Sequence, residues 1–96
     1  MARRTLERIR ATIRTGIYDM TFHAVEEMAE DELDKIDVEI SIQNGQLIKT
    51  ESDDPRGARH TIHGAGADGT TGVGSVGRFT GTGRYLIVTV YKVTEA

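Results

Sequence analysis

The chain has 96 residues, 12 Lys and Arg against 15 Asp and Glu for a net charge of −3, and no cysteine. That length makes a single small domain, 1–96, and the missing thiols exclude disulfides and thiolate metal sites. An acidic balance argues against a protein that coats nucleic acid over its whole surface, and no apolar run approaches the ~20 residues of a membrane span, so a cytoplasmic chain without membrane association is expected. The charge is segregated: residues 1–16 carry five Arg against Glu7, residues 17–45 carry nine acids against Lys35, and residues 46–96 are nearly balanced. This leaves room for a local basic site. It also suits a protein interface in which a basic helix meets an acidic one.

Ala2, Leu6, Ile9 and Ile13 recur at intervals of three and four, which predicts an amphipathic helix over 3–14 with its arginines facing water and Gly16 just past its end. Ile17 to Phe22 alternates Tyr18, Met20 and Phe22 and reads as a brief strand or an extended link. Thr21 is an N-cap candidate for a second helix, about Phe22 to Glu30, in which Ala24, Val25, Met28 and Ala29 repeat at helical spacing. His23 then falls in the first turn, where the helix dipole disfavours imidazolium and leaves a neutral ring able to act as a base; a purely packing or capping role is the alternative. A third helical segment, Asp34 to Asn44, opens with acids where negative charge is favoured and closes at Asn44-Gly45, with both residues able to turn left-handed. No proline marks whether the second and third helices are separate or one bent rod.

Beyond Gly45 the apolar period changes to two. Gln46–Ser52, Arg59–Gly64, Val73–Phe79 and Arg84–Val93 read as four strands. Asp53-Asp54-Pro55-Arg56-Gly57, Ala67-Asp68-Gly69-Thr70 and Thr80-Gly81-Thr82-Gly83 are the turns between them. In the last strand, simple alternation puts Leu86, Val88 and Val90 on one face and Tyr85, Ile87, Thr89 and Tyr91 on the other. The expected fold is therefore α+β, with two or three N-terminal helices packed on one face of a four-stranded antiparallel sheet.

Gly72-Val73-Gly74-Ser75-Val76-Gly77 spells G-x-G-x-x-G, but no helix is expected after it, so a dinucleotide site is rejected. These glycines read instead as strand positions that another group approaches closely or at which the sheet bends, with phosphate approach near Arg78 a lesser alternative. His60 and His63 are three apart and fall on opposite faces of a strand, so a shared metal is not expected, and neither metal nor cofactor is assigned. The constellation with chemical content is His23, Arg59, Arg78, Arg84 and Tyr91, if the second helix packs on the sheet. Metal-independent RNA cleavage needs a base for the ribose 2′-hydroxyl, a cation over the phosphorane and an acid for the leaving oxygen. His23, Arg78 and Tyr91 have the chemistry for those roles in that order, with Arg59 and Arg84 available to bind substrate.

Arg8-Ile9-Arg10, Thr21-Phe22-His23-Ala24-Val25-Glu26-Glu27-Met28, Asp37-Val38-Glu39, Leu47-Ile48 and Leu86-Ile87-Val88-Thr89-Val90-Tyr91 together resemble the bacterial domain-of-unknown-function family 4258, over nearly the whole chain. That family is similar to the RelE and BrnT toxin fold, and its members often accompany a small zinc-ribbon antitoxin-like protein. The resemblance implies a toxin of a toxin–antitoxin pair, an endoribonuclease acting on mRNA, and points to His23, Glu27, Tyr91 and Arg78. The alternative expectation is a non-catalytic interaction module or homodimer, in which the acidic helices or a sheet edge dock on another protein or a second copy.

Overall fold

The computed structural model describes residues 2–94, with side chains from Arg4 onward, so the expected placements of Ala2 and Arg3 on the first helix lie outside the described side chains. In chain order the elements are α1 (Ala2–Arg14), β1 (Tyr18–Met20), α2 (Phe22–Glu30), α3 (Lys35–Asn44), β2 (Gln46–Glu51), β3 (Arg59–Ala65), β4 (Gly72–Phe79) and β5 (Tyr85–Val93). The sheet order is β1-β5-β4-β3-β2. Three of its four pairings are antiparallel and β1 joins β5 in parallel, with Tyr18 opposite Tyr85 and Met20 opposite Ile87. The expected four-stranded antiparallel sheet is thus five-stranded and mixed. Three residues are too short for a period to declare itself, and β1 is held by its parallel partner rather than by a hairpin.

α1 and α2 end on a left-handed residue. Gly16 (φ 76°) closes α1: its N–H donates to Ile13 O at 3.1 Å and the Ile17 N–H to Thr12 O at 2.9 Å. α2 starts as expected, the Ala24 N–H donating to Thr21 Oγ1 at 3.1 Å. It stops through the same double bond pattern, Glu32 N–H to Ala29 O and Leu33 N–H to Met28 O, with Glu32 itself at φ 56°. α2 and α3 are therefore separate helices, and the break is carried by a glutamate in a conformation that glycine usually takes. At the end of α3, by contrast, Gly45 is extended (φ −87°), not left-handed. It has no side chain because one would strike the Ser41 and His63 carbonyl oxygens, where α3 presses on β3.

Ile9, Ile13, Ala24, Met28, Val38, Ile42, Ile62, Val73, Ile87 and Val90 form one buried core between helices and sheet. α3 lies over β3 and β4 and packs against α1. α2 differs from the expected one-face packing: it flanks β5 where β1 has ended, and its carboxylates take strand partners' places. Glu27 Oε1 accepts the Val90 N–H and Asp31 Oδ2 the Lys92 N–H, each at 3.0 Å. The arginines of α1 do not all face water either. Arg10 donates from Nε to Ile42 O at 3.2 Å and from Nη2 to Gly45 O at 2.7 Å, a cation set against the negative end of α3.

Alternation along β5 is broken once. Val76 pairs with Thr89 but the next residue, Gly77, pairs with Ile87, so Val88 is an extra residue in a bulge. Tyr85, Ile87 and Val90 consequently face the helices, whereas Leu86, Thr89 and Tyr91 face away. Simple alternation had grouped Tyr91 with Tyr85; the bulge moves it to the helix-free face.

A candidate site on the helix-free face of the sheet

The sequence constellation is dispersed in three dimensions. His23 is the second residue of α2; 68 % of its side chain is exposed, and its Nε2 lies 3.2 Å from Glu27 Oε2. Because the other Glu27 oxygen holds the Val90 amide, Glu27 fastens α2 to the sheet edge. Arg84 is engaged by Asp19 at 2.7 Å and by the Tyr18 carbonyl at 3.3 Å, at the start of β5. Its guanidinium holds the Asp19 carboxyl below the usual carboxylate range. Arg59 lies between Glu51 (3.7 Å) and Asp54 (3.8 Å), two strands away from β5. Arg78, opposite Leu86 on the helix-free face, has no carboxylate partner among the described residues.

Tyr91 finds a histidine, but a different one. Its hydroxyl lies 2.7 Å from His63 Nε2, and the rings meet edge to face with centroids 5.6 Å apart at 84°. The two residues belong to β5 and β3, with β4 between them, and both pair with Gly74. Only a bare backbone lets the phenol cross: a Cβ at Gly74 would clash with two Tyr91 ring carbons. The phenol therefore points across β4, away from the outer edge of β5 where α2 carries His23. Arg78 is four residues further along β4 from Gly74, about 13 Å at the usual rise per residue. His23, Arg78 and Tyr91 are thus not brought into one hydrogen-bonded cluster.

Burial raises the Tyr91 phenol above its ordinary pKa, so it keeps its proton at neutral pH and is the donor when the proton of His63 is on Nδ1. Between the dyad and Arg78 the helix-free face carries Thr61, Val76 and Thr89 in one cross-strand row. The arrangement is a hydrogen-bonded histidine–tyrosine pair at one end of an open strand surface and a cation at the other. His60, as its spacing predicts, is on the opposite face, 7 % exposed. Among the described residues no three His, Cys, Asp or Glu side chains converge to hold a metal ion, and no described helix is long and apolar enough to cross a membrane. Sequence reasoning did not pair His63 with Tyr91. The signal for it was the glycine at position 74, midway between a histidine strand and a tyrosine strand.

A family profile described as a domain of unknown function, DUF4258, matches residues 20–92. The chain belongs to the DUF4258 family. Comparison with curated proteins and with solved structures finds no match. The span that makes this a DUF4258 chain includes α2 and every residue of the helix-free face named above, together with His23, Glu27, Arg59 and Arg84. α1, with Arg8 and Arg10, precedes the DUF4258 span.

Proposed function

We propose that this DUF4258 protein is a toxin-like, metal-independent endoribonuclease whose helix-free sheet face receives single-stranded RNA. The observation that carries the reading is the 2.7 Å bond between His63 and Tyr91 on a face no helix covers. In the tautomer protonated on Nδ1, the ribose 2′-hydroxyl gives its proton to the Tyr91 oxygen as the phenolic proton moves to His63 Nε2. The 2′-oxygen then bonds to phosphorus, the phosphorus–5′-oxygen bond breaks, and a 2′,3′-cyclic phosphate results. In-line displacement puts the leaving oxygen on the far side of phosphorus, where water on this open face supplies its proton. Arg78, about 13 Å along the strand, anchors a flanking phosphate rather than the scissile one.

The test is incubation of the purified protein with a long messenger RNA in EDTA. Cleavage to cyclic-phosphate ends is expected, falling about a hundredfold or more in His63→Ala and Tyr91→Phe, as removal of a general base does. Absence of cleavage, or cleavage indifferent to both substitutions, overturns the reading.

A second reading is favoured by a separate observation. Phe22 is 79 % exposed, with Ile17 and Val25 at 44 % each, an unusual amount of apolar side chain around the start of α2. That surface and the acidic α2 and α3 suit a protein partner, either the zinc-ribbon antitoxin-like protein of a toxin–antitoxin pair or a second copy of the chain. A stable complex or dimer that retains no RNA would favour this interaction module over the nuclease.

A further inference from the structure

A second group of polar side chains lies on the other face of the sheet. A cleft of about 300 Å³ opens between α1 and the start of β3, lined by Thr5, Arg8, Gly57, Ala58, His60 and Phe79. The Arg8 guanidinium sits 3.9 Å above the centre of the Phe79 ring, which fixes its position without neutralising it. No carboxylate lines the cleft, and Glu7 is paired with Arg10, Glu51 with Lys49 and Arg59, and Asp54 with Arg56 and Arg59. Thr5 is one turn before Arg8 on the same side of the helix and lines the same cleft. His60 forms the inner wall. Its Nδ1 is 3.3 Å from the Thr50 hydroxyl, and Nε2 has no protein partner among the described residues.

We propose that this cleft binds a phosphate group, held by the Arg8 guanidinium, the Thr5 hydroxyl and the His60 imidazole. Three donors of different kinds around one small space match an acceptor with several oxygens, and the guanidinium fork suits phosphate geometry. The electrostatics agree: burial and then the nearby Arg8 charge hold His60 below its ordinary pKa, so the cleft carries a cation and a neutral donor with no compensating anion. A phosphate between them offsets the repulsion and favours imidazolium. The phosphate could belong to a free phosphate ester or to an RNA strand passing round the end of the sheet, and the site does not depend on the cleavage reading.

The test follows the imidazole resonances of His60 by NMR in the whole chain, titrating pH in chloride, in inorganic phosphate, in a nucleoside monophosphate and with a short RNA, at matched ionic strength. Roughly threefold tighter phosphate binding to the protonated ring appears as a rise of about 0.5 in the His60 midpoint, abolished in Arg8→Gln. A rise with inorganic phosphate or the monophosphate identifies a free phosphate ester as the ligand, and a rise with RNA alone identifies a phosphodiester. No rise in any condition, or a rise that survives Arg8→Gln, overturns the proposal. His63→Ala and Tyr91→Phe leave this response intact, so loss of RNA cleavage and loss of phosphate binding are read separately.

Discussion

Two glycines in β4 do parallel work on opposite faces. Tyr91 lies over Gly74 on the helix-free side, and Tyr85 lies over Gly77 on the core side, where it also meets Phe79 edge to face at 5.1 Å. The two differ in what can yield. Tyr85 is fully buried, so the methyl of Gly77→Ala has nowhere to displace the ring, and overpacking there should cost about 1–3 kcal/mol in urea unfolding. Tyr91 borders solvent and can swing away, so Gly74→Ala should cost less than about 1 kcal/mol yet break the bond to His63. The pair separates stability from function: Gly74→Ala should lose RNA cleavage with near-normal unfolding, and Gly77→Ala should unfold early. Equal destabilisation by both would contradict the packing described for the two faces.

At the scale of the element, α2 finishes an incomplete edge. β1 covers β5 only as far as Ile87, and beyond it Glu27 and Asp31, one turn apart, accept the Val90 and Lys92 amides. A carboxylate that accepts a half-buried backbone amide contributes about 1.5–3 kcal/mol, whereas exposed pairs such as Arg84–Asp19, screened by water, contribute little. Glu27→Ala should therefore destabilise the fold by about 1.5–3 kcal/mol and raise amide exchange at Val90, while Asp19→Ala costs little. Unchanged exchange at Val90 would refute the strand-capping role. Much of this layer was legible in the chain: the Thr21 cap, the Gly16 stop and the four longer strands follow from local chemistry and period. The separation of α2 from α3 was not, because Glu32 adopts the left-handed conformation that the search for glycine or proline looks for elsewhere. β1 was too short to assign, and the Val88 bulge is a property of pairing with β4 that no single strand displays. That one bulge reversed the face of Tyr91, and with it the membership of the candidate site. His23 was read from helix position alone, which fixes its turn but not the direction of the strands around it.

Across the molecule, Arg8 toward the cleft and Arg78 on the helix-free face are, among the described residues, two of the cations that no carboxylate pairs with, alongside Arg4, Arg14, Lys35 and Lys92. The acids that are held show in the response to pH. Asp68, bonded by the Thr70 and Thr71 amides and the Thr71 hydroxyl, is lowered to about 2, and Asp19 and Asp54 are lowered by Arg84 and Arg56. A carboxylate with a depressed folded pKa adds stability that is fully present above its unfolded value near 3.9 and is lost as pH falls toward the folded value. His60, also depressed, makes stability fall earlier, from about pH 6.5 downward, because the unfolded chain takes up that proton first. Urea unfolding across pH should show a first decline below about 6.5 that His60→Gln removes, and a second between about 4 and 2 that Asp68→Asn reduces. Stability that is flat from pH 7 to 5 would contradict the neutral, buried state of His60.

The central claim is that proton transfer belongs to His63 and Tyr91 on the sheet, not to His23 on α2. The most direct measurement is the single-turnover rate of RNA cleavage in EDTA for His63→Ala beside His23→Ala. The account predicts that the first is slowed about a hundredfold or more while the second stays within a few-fold of the unaltered protein. The reverse order, with His23→Ala silent and His63→Ala active, would contradict it.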